Sequence, residues 1–403
     1  MKRVVLCVQN MPVPDDPRVW NEATTLAEAG YAVTVVSPGG QGARSEERLD
    51  GVDIMRYRTA RERPGVAGQV LETACGIIGT TRAVARLRRR GPIDVLHVAN
   101  PPDTLFPLAW WLRRSGTRFV YDQHDPTPEL LAAKLGHRPL LDRILRHLER
   151  RSYEAADVVL VSNNSCRRLA LERSGHAPDR VITVRLGPRA IETIAESPSD
   201  VPVVAYAGVM GVQDTVDVLI EAFAAVLRRR PGSARLELIG RGDAVPMLKQ
   251  RVEELGIGPA VSWAGWLPRA EMRRRLSRAT VGVSPDVDNP NTRVSTMIKV
   301  SEYLSLGLPA VVADLPENRV TAGEGAMYFR PGDVTDLADR LADVLFDEHR
   351  RVQMAEAARR RAPGLLWEHS APRLLAAYRN LLDGGPSIPG DQHVPDAYVP
   401  AAS

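Results

Sequence analysis

Cysteine, lysine, aromatic residues and long apolar runs are all scarce in this chain of 403 residues. The cysteines, Cys7, Cys75 and Cys166, are too few and too widely spaced for a disulfide framework or a zinc pattern. Cys7 lies in an apolar strand and reads as core. No apolar run approaches the ~18–20 residues that a membrane-spanning helix needs, and the longest candidate, Leu105 to Leu112, falls far short. Met1-Lys2-Arg3-Val4-Val5-Leu6 passes straight into a strand pattern, with no secretory leader following. The expectation is a reduced, cytoplasmic protein. Aromatics make up 5% of the residues, too few for base-stacking platforms, so a nucleic-acid partner is not expected. The eight histidines show no metal-ligand spacing, so neither a metal nor another cofactor is expected. Lysine occurs only as Lys2, Lys134, Lys249 and Lys299, and arginine carries the rest of a net charge of +4. Basic clusters run over Arg82 to Arg90 and Arg138 to Arg151. Solvated helix faces are the plain reading of them, and peripheral contact with an acidic membrane surface or an anionic acceptor the sharper one.

What is present is the composition of a two-domain globular protein, 44% hydrophobic and 25% charged. Strand and helix patterns alternate throughout, which predicts α/β layers around parallel sheets. Predicted strands in the first half are Val4–Val8, Ala32–Pro38, Val52–Tyr57, Val95–Val98, Phe119–Asp122, Val158–Ser162 and Val181–Arg185. The rhythm restarts with Val203–Ala207, Arg235–Ile239, Val261–Ala264, Val281–Val283 and Ala310–Ala313. Between the halves, Glu196-Ser197-Pro198-Ser199-Asp200-Val201-Pro202 reads as a linker. The predicted domains are residues 1–198 and 199–384, with a last helix over about 365–383 that returns to the first domain, and a disordered tail over 385–403. Doubly wound sheets bind ligands at the carboxyl ends of their strands. The residues there include Asn10, Asn100, His124-Asp125, Asn163-Asn164, Gly208, Gly240-Arg241-Gly242, Gly265-Trp266 and Ser284.

The richest segment runs from Ser295 to Asp314. Ser295 and Thr296 suit a helix N-cap, Gly307 suits the left-handed stop, and Ala310 to Ala313 reads as a buried parallel strand. Met297, Val300 and Leu304 share one face of the predicted helix; Lys299 and Glu302 fall together on the other. A helix start with unbonded N–H groups, a cation and a carboxylate suits a nucleotide sugar, with Lys299 and the N–H groups on the diphosphate and Glu302 on the ribose. A surface ion pair on an ordinary amphipathic helix is the plainer reading.

In order along the chain stand Asp16-Pro17-Arg18-Val19-Trp20-Asn21-Glu22-Ala23, Asp122-Gln123-His124-Asp125, Tyr206-Ala207-Gly208-Val209-Met210-Gly211, Leu238-Ile239-Gly240-Arg241-Gly242, Gly265-Trp266-Leu267-Pro268 and Lys299-x-x-Glu302-Tyr303. With these segments the chain resembles the glycosyltransferases of family 4 from about Val4 to about Leu382. The resemblance implies the GT-B architecture, two facing Rossmann-like doubly wound parallel-sheet domains. It implies metal-independent, retaining transfer of a sugar from a nucleotide-diphosphate donor to a glycan, a lipid-linked sugar or a small metabolite. Two departures from the family pattern stand out. Val294 occupies the first position of the family's Glu-x7-Glu motif, whose second position is Glu302, and Val209 and Asp214 stand where an Arg and a Lys are usual. The diphosphate then rests on Lys299 and the helix start at Ser295, Thr296 and Met297, with Arg18, Arg185 or Arg293 as helpers. Gly208, Met210, Gly240, Gly242 and Trp266 are expected beside the donor. His124 is expected to meet the acceptor hydroxyl or donor sugar, with Asp125 orienting it or capping the following helix. Arg18 is expected to touch a phosphate or the acceptor, or to pair with Glu22 on the surface. Glu129 is a lesser candidate for acceptor contact. The alternatives are a non-catalytic homologue acting as a sugar-nucleotide sensor or partner subunit, and a nucleotide-sugar epimerase.

Overall fold

The computed structural model describes residues 1–40, 44–59, 66–191 and 199–384. The predicted tail and residues 196–198 of the predicted linker lie outside them. The described residues divide into two compact units: Met1–Leu186 with 368–384, and Gly187–Trp367. The division falls at Gly187 rather than near residue 198 because the chain there is already bonded into the second unit. The Trp367 N–H donates to the Pro188 carbonyl at 3.0 Å, and the space a Gly187 side chain would need is filled by the Leu365 backbone.

The first unit is an eight-stranded sheet built from β1 (Arg3–Cys7), β2 (Ala32–Pro38), β3 (Glu46–Leu49), β4 (Val52–Tyr57), β5 (Val95–Ala99), β6 (Arg118–Gln123), β7 (Val158–Val161) and β8 (Val181–Thr183). The strand order is β3-β4-β2-β1-β5-β6-β7-β8, and every pairing is parallel except β3 with β4. Strand β3 escaped the sequence reading because Glu46-Glu47-Arg48-Leu49 has no apolar alternation; it is a charged, mostly exposed edge, a composition that discourages further strand pairing. Helices α1 (Pro17–Glu28), α2 (Val66–Arg89), α3 (Phe106–Arg113), α4 (Thr127–Leu135), α5 (Pro139–Ala155) and α6 (Asn164–Ser174) cover it. Asp16 starts α1 by accepting the Arg18 and Val19 N–H groups, with Pro17 in the first turn where its missing donor costs nothing. Asn163 caps α6 through the Cys166 N–H at 2.7 Å.

The second unit holds β9 (Val203–Val209), β10 (Arg235–Arg241), β11 (Val261–Gly265), β12 (Val281–Ser284), β13 (Ala310–Ala313) and β14 (Ala326–Phe329), in the parallel order β11-β10-β9-β12-β13-β14. Its helices are α7 (Val216–Arg229), α8 (Val245–Glu254), α9 (Arg269–Leu276), α10 (Ile298–Ser305), α11 (Pro316–Ala322), α12 (Val334–Phe346) and α13 (Glu348–Arg361). The two-residue period of β9 feeds two cores. Val204 and Tyr206 pack with α7, α8 and α12, whereas Ala205 and Ala207 pack against Val300, Tyr303 and Leu304 of α10. The last helix, α14 (Ala371–Asp383), belongs to the first unit, where it packs on α1 and buries Tyr378 edge-on to Tyr31. Among the described residues no helix is long and apolar enough to cross a membrane.

Candidate active site

In the second sheet the chain winds outward in both directions from β9 and β12, so these neighbours form its switch point. Their pairing ends at Gly282 opposite Ala205. Beyond it the strands separate, and the Tyr303 hydroxyl fills the gap, accepting from the Ala207 N–H and donating to the Val283 carbonyl, both at 3.1 Å. A side chain at Gly282 would strike the Tyr303 ring. Lys299 lies one helical turn before Tyr303, its ammonium 4.9 Å from the centre of the Tyr206 ring and 3.7 Å from Asp286. Asp286 is in turn held by the Ser284 hydroxyl at 2.6 Å. Burial opposes the charge on Lys299, but Tyr206, Asp286 and Asp214 outweigh it and hold its pKa above the ordinary lysine value, so the ammonium stays charged.

Helix α10 begins at Ile298, not at the predicted hydroxyl cap. Its N-cap is Met297, which offers no side-chain bond, and Ser295 instead donates to the Asn291 carbonyl at 2.8 Å. Thr296 precedes the cap. Glu302 also departs from its predicted pairing with Lys299: its carboxylate turns to α9, where Arg269 reaches it at 2.7 Å and Arg273 at 2.5 Å. Two guanidiniums fix that carboxylate and leave part of its capacity of about four lone pairs for other donors. Arg273 is buried and also bonds Ser305.

The glycines resolve to packing between strands. Side chains at Gly240 and Gly242 would collide with the carbonyls of Gly208 and Met210. Met210, expected beside the donor, buries its side chain in the core; its backbone N–H donates to the Arg241 carbonyl at the end of β10, and its carbonyl accepts from the Ala244 N–H just before α8. Trp266, at the end of β11, is exposed and carries the Arg241 guanidinium 4.7 Å from its ring centre. Arg293 forks onto Asp288 at 2.5 and 2.8 Å.

The first unit gathers a second set at the carboxyl ends of β5 and β6. Arg18 is not on the surface, as a ligand contact or surface pair would require. Its guanidinium is buried, with Nη2 on Asp122 at 2.5 Å, Nε on the same carboxylate at 3.1 Å, Nη1 on the Val184 carbonyl, and Glu22 at 3.3 Å. It reaches the core because Arg18 and Glu22, one turn apart, lie on the sheet-facing side of α1 with Val19 and Leu26. Asp122, not Asp125, is the carboxylate on His124: Nε2 of the imidazole lies 2.6 Å from it. Asp125 does not cap α4, whose N-cap is Pro126; the His124 and Asp125 N–H groups both point to Asn100 Oδ1. Burial raises the pKa of the Asp122 carboxyl, but Arg18 and His124 overcome this and bring it well below the usual range. Glu22 goes the other way, raised by burial and by the Asp122 charge. His97, lowered by burial, sits behind with Nε2 3.5 Å from Asp122 and Nδ1 2.7 Å from the Tyr378 hydroxyl. Glu129 is buried and held by Arg173 and Arg146.

Among the described residues, ligand atoms of Glu22, His97 and Asp122 come within 4.8 Å of one another. This set does not suit a metal ion: the Arg18 guanidinium already stands against both carboxyl groups. Sequence reasoning missed Asp122, Asp286, Tyr206, Arg269 and Arg273. An aspartate closing an apolar strand and another two residues beyond one were the signals available for the first two.

Two parallel Rossmann-like units in tandem, each with charged side chains at its strand ends, define a GT-B protein. Residues 16–187 match the Glycosyl transferase 4-like domain, and residues 201–347 match Glycosyl transferases group 1. The chain belongs to the family 4 glycosyltransferases of GT-B fold. It is 26% identical to the D-inositol 3-phosphate glycosyltransferase of Corynebacterium urealyticum, over 93% of this chain and 92% of that one. Sucrose-phosphate synthase of Thermosynechococcus elongatus superposes with a TM-score of 0.78 at 17% identity, over 96% and 100% of the two chains. HepE of Anabaena in complex with UDP-glucose superposes at 0.70 and 16% identity, over 94% and 100%.

Proposed function

We propose that this chain transfers a sugar from a nucleotide-diphosphate donor to an acceptor hydroxyl, with retention at the anomeric carbon and without a metal ion. One observation carries the reading: a buried ammonium, Lys299, with its pKa held above the ordinary lysine value, at the switch point of the second sheet, beside a helix start whose N-cap residue makes no side-chain cap bond. On this reading Lys299 and the first turn of α10 stabilise the departing diphosphate. Glu302, held by its two arginines, accepts the ribose hydroxyls, the Trp266–Arg241 stack meets the base, and His124 meets the acceptor. The UDP-glucose bound to HepE supports a nucleotide-sugar donor.

The acceptor is a glycan, a lipid-linked sugar or a small metabolite. Peripheral membrane contact is part of the proposal: α5 exposes Leu140 and Ile144 beside Arg143, Arg146 and Arg150, and α3 exposes Trp110 and Trp111. A non-catalytic sensor is the second reading, favoured by Val294, Val209 and Asp214. Asp214 spends its carboxylate on the Gly211 N–H and on Gln213.

The test is turnover: incubation with UDP-, GDP- and ADP-sugars and a panel of sugar, polyol and lipid-linked acceptors, with and without EDTA. The proposal expects nucleoside diphosphate release, EDTA-insensitive, and a product whose NMR coupling keeps the donor's anomeric configuration. Inversion or EDTA sensitivity contradicts the mechanism. Binding without turnover on any acceptor favours the sensor.

A further inference from the structure

We propose that Tyr206 is the positioning residue of Lys299: its ring face holds the ammonium short of contact with Asp286 and so keeps it available to the diphosphate of the donor. The inference rests on the glycosyltransferase reading above; every residue in it belongs to the second unit. Lys299 springs from α10, which covers the sheet face of Ala205 and Ala207, whereas the Tyr206 side chain points to the opposite face. The lysine therefore crosses the end of the sheet to reach the ring, and it does so over Gly208. A β-carbon there would lie 3.4 Å from Lys299 Cε and 3.3 Å from the Tyr206 hydroxyl oxygen. The ammonium ends 4.9 Å from the ring centre, inside the roughly 6 Å over which an aromatic face attracts a cation. The ring is itself fixed: Tyr206 is fully buried, and its hydroxyl donates to the Val209 carbonyl at 2.5 Å.

An ammonium carries three donors on a flexible four-carbon stem, so its position must be set by its neighbours. Among the described residues it makes no hydrogen bond. Asp286 Oδ1 stands 3.7 Å away, and Asp286 Oδ2 is held by the Ser284 hydroxyl at 2.6 Å. A charge-assisted hydrogen bond is about 2.7–2.9 Å long, so a shift of about 1 Å would close the ion pair. A closed pair would satisfy the ammonium and cancel more of its field, whereas an aromatic face attracts the cation and carries no net charge. Tyr206 thus balances Asp286 without neutralising Lys299. The Lys299 side chain is 11% accessible, which leaves its donors within reach of a ligand. Tyr206 touches no substrate and acts through Lys299 alone.

Two measurements test this. The chain has only Lys2, Lys134, Lys249 and Lys299, so the ε-methylene signals of carbon-13-labelled lysine are few, and Lys299 is assigned by its loss in Lys299→Met. In wild-type protein the Lys299 ε-protons are expected upfield of the ordinary lysine position, shielded by the Tyr206 ring, and Tyr206→Leu is expected to return them to it. A Lys299 signal at the ordinary position in wild-type protein overturns the proposal. Calorimetry with UDP, GDP and ADP reads the consequence. Tyr206→Leu is expected to weaken nucleoside diphosphate binding about tenfold, and the conservative Tyr206→Phe, which keeps the ring face, to restore it. Asp286→Asn is expected to raise affinity by a larger factor in the Tyr206→Leu background than in wild type. A purely structural role for the ring lowers the melting temperature and leaves the Asp286→Asn effect equal in both backgrounds; that result overturns the proposal. Should Tyr206→Leu fail to fold, the wild-type Lys299 signal decides. If wild-type protein binds none of the three nucleotides, the functional reading fails, while the Lys299 signal still tests the Tyr206–Lys299 relation.

Discussion

Replacing Lys299 by Met keeps the length of the side chain over Tyr206 and removes the charge. A unit charge about 4 Å from a phosphate oxygen, at an effective dielectric near 20, is worth about 4 kcal/mol. The ammonium is not isolated, because Asp286 stands 3.7 Å away and offsets part of its field. Taking about half of the interaction as lost gives ~2 kcal/mol, a fall of about 30-fold in kcat/KM. The loss falls on kcat where the ammonium acts on charge that develops as the diphosphate departs. Asp286→Asn tests the same arithmetic with opposite sign: the ammonium is then less offset, and donor affinity rises. Steady-state kinetics on both variants and the double mutant provide the assay, with circular dichroism melts as the folding control. A Lys299→Met enzyme within threefold of wild type in kcat/KM refutes the reasoning, as does Asp286→Asn binding donor more weakly while still fully folded.

Glu302→Gln is expected to raise KM for the donor by about 5- to 100-fold with a smaller change in kcat, since a neutral amide replaces a charged acceptor of ribose hydroxyls; donor-saturation kinetics check this. Tyr303→Phe removes one hydroxyl from two buried backbone groups, Ala207 N–H and Val283 carbonyl, and should cost about 1–3 kcal/mol in denaturant melts. Glu22→Gln and Asp122→Ala should separate sharply in stability at pH 7. Burial and the Asp122 charge raise the Glu22 pKa, so a neutral amide there costs little, whereas Asp122→Ala leaves the buried Arg18 guanidinium without its closest carboxylate and costs about 3–5 kcal/mol. Because the folded pKa of Glu22 is raised, its contribution is fully present below its unfolded value of about 4.5 and is lost as pH rises through the folded value; Glu22→Gln should flatten that decline in melts run up the pH scale. Vesicles with anionic lipid should float the protein, salt-sensitively, and a Leu140→Asp, Ile144→Asp variant should stay in the lower fraction.

The parallel strands were legible because their buried runs, such as Val158-Val159-Leu160-Val161 and Ala310-Val311-Val312-Ala313, are continuous apolar segments bounded by polar turns. Ala32–Pro38, Val52–Tyr57 and Ala310–Ala313 match their predicted bounds. Strand β14 was missed because Ala326-Met327-Tyr328-Phe329 follows a Gly-rich turn and carries only one β-typical pair. The site was less legible for a physical reason. Periodicity reports which face a side chain occupies, but not which charge waits there. Arg18 and Glu22 read as surface because charges usually are; they are buried because Asp122 and His97 meet them from strands far along the chain, Asp122 being 104 residues from Arg18. Glu302 read as the partner of Lys299 from helical spacing, yet Arg269 and Arg273, on a separate helix, hold it more closely. The start of α10 was misplaced because the Ser295 hydroxyl found a carbonyl four residues back, an alternative that serine takes as readily as a cap.

Calorimetric titration of UDP, GDP and ADP into wild-type protein and Lys299→Met tests the central claim most directly. The account predicts one-to-one binding of at least one nucleoside diphosphate, weakened about tenfold or more by the substitution. Wild-type protein that binds none of the three, or a Lys299→Met variant that binds as tightly as wild type, contradicts it.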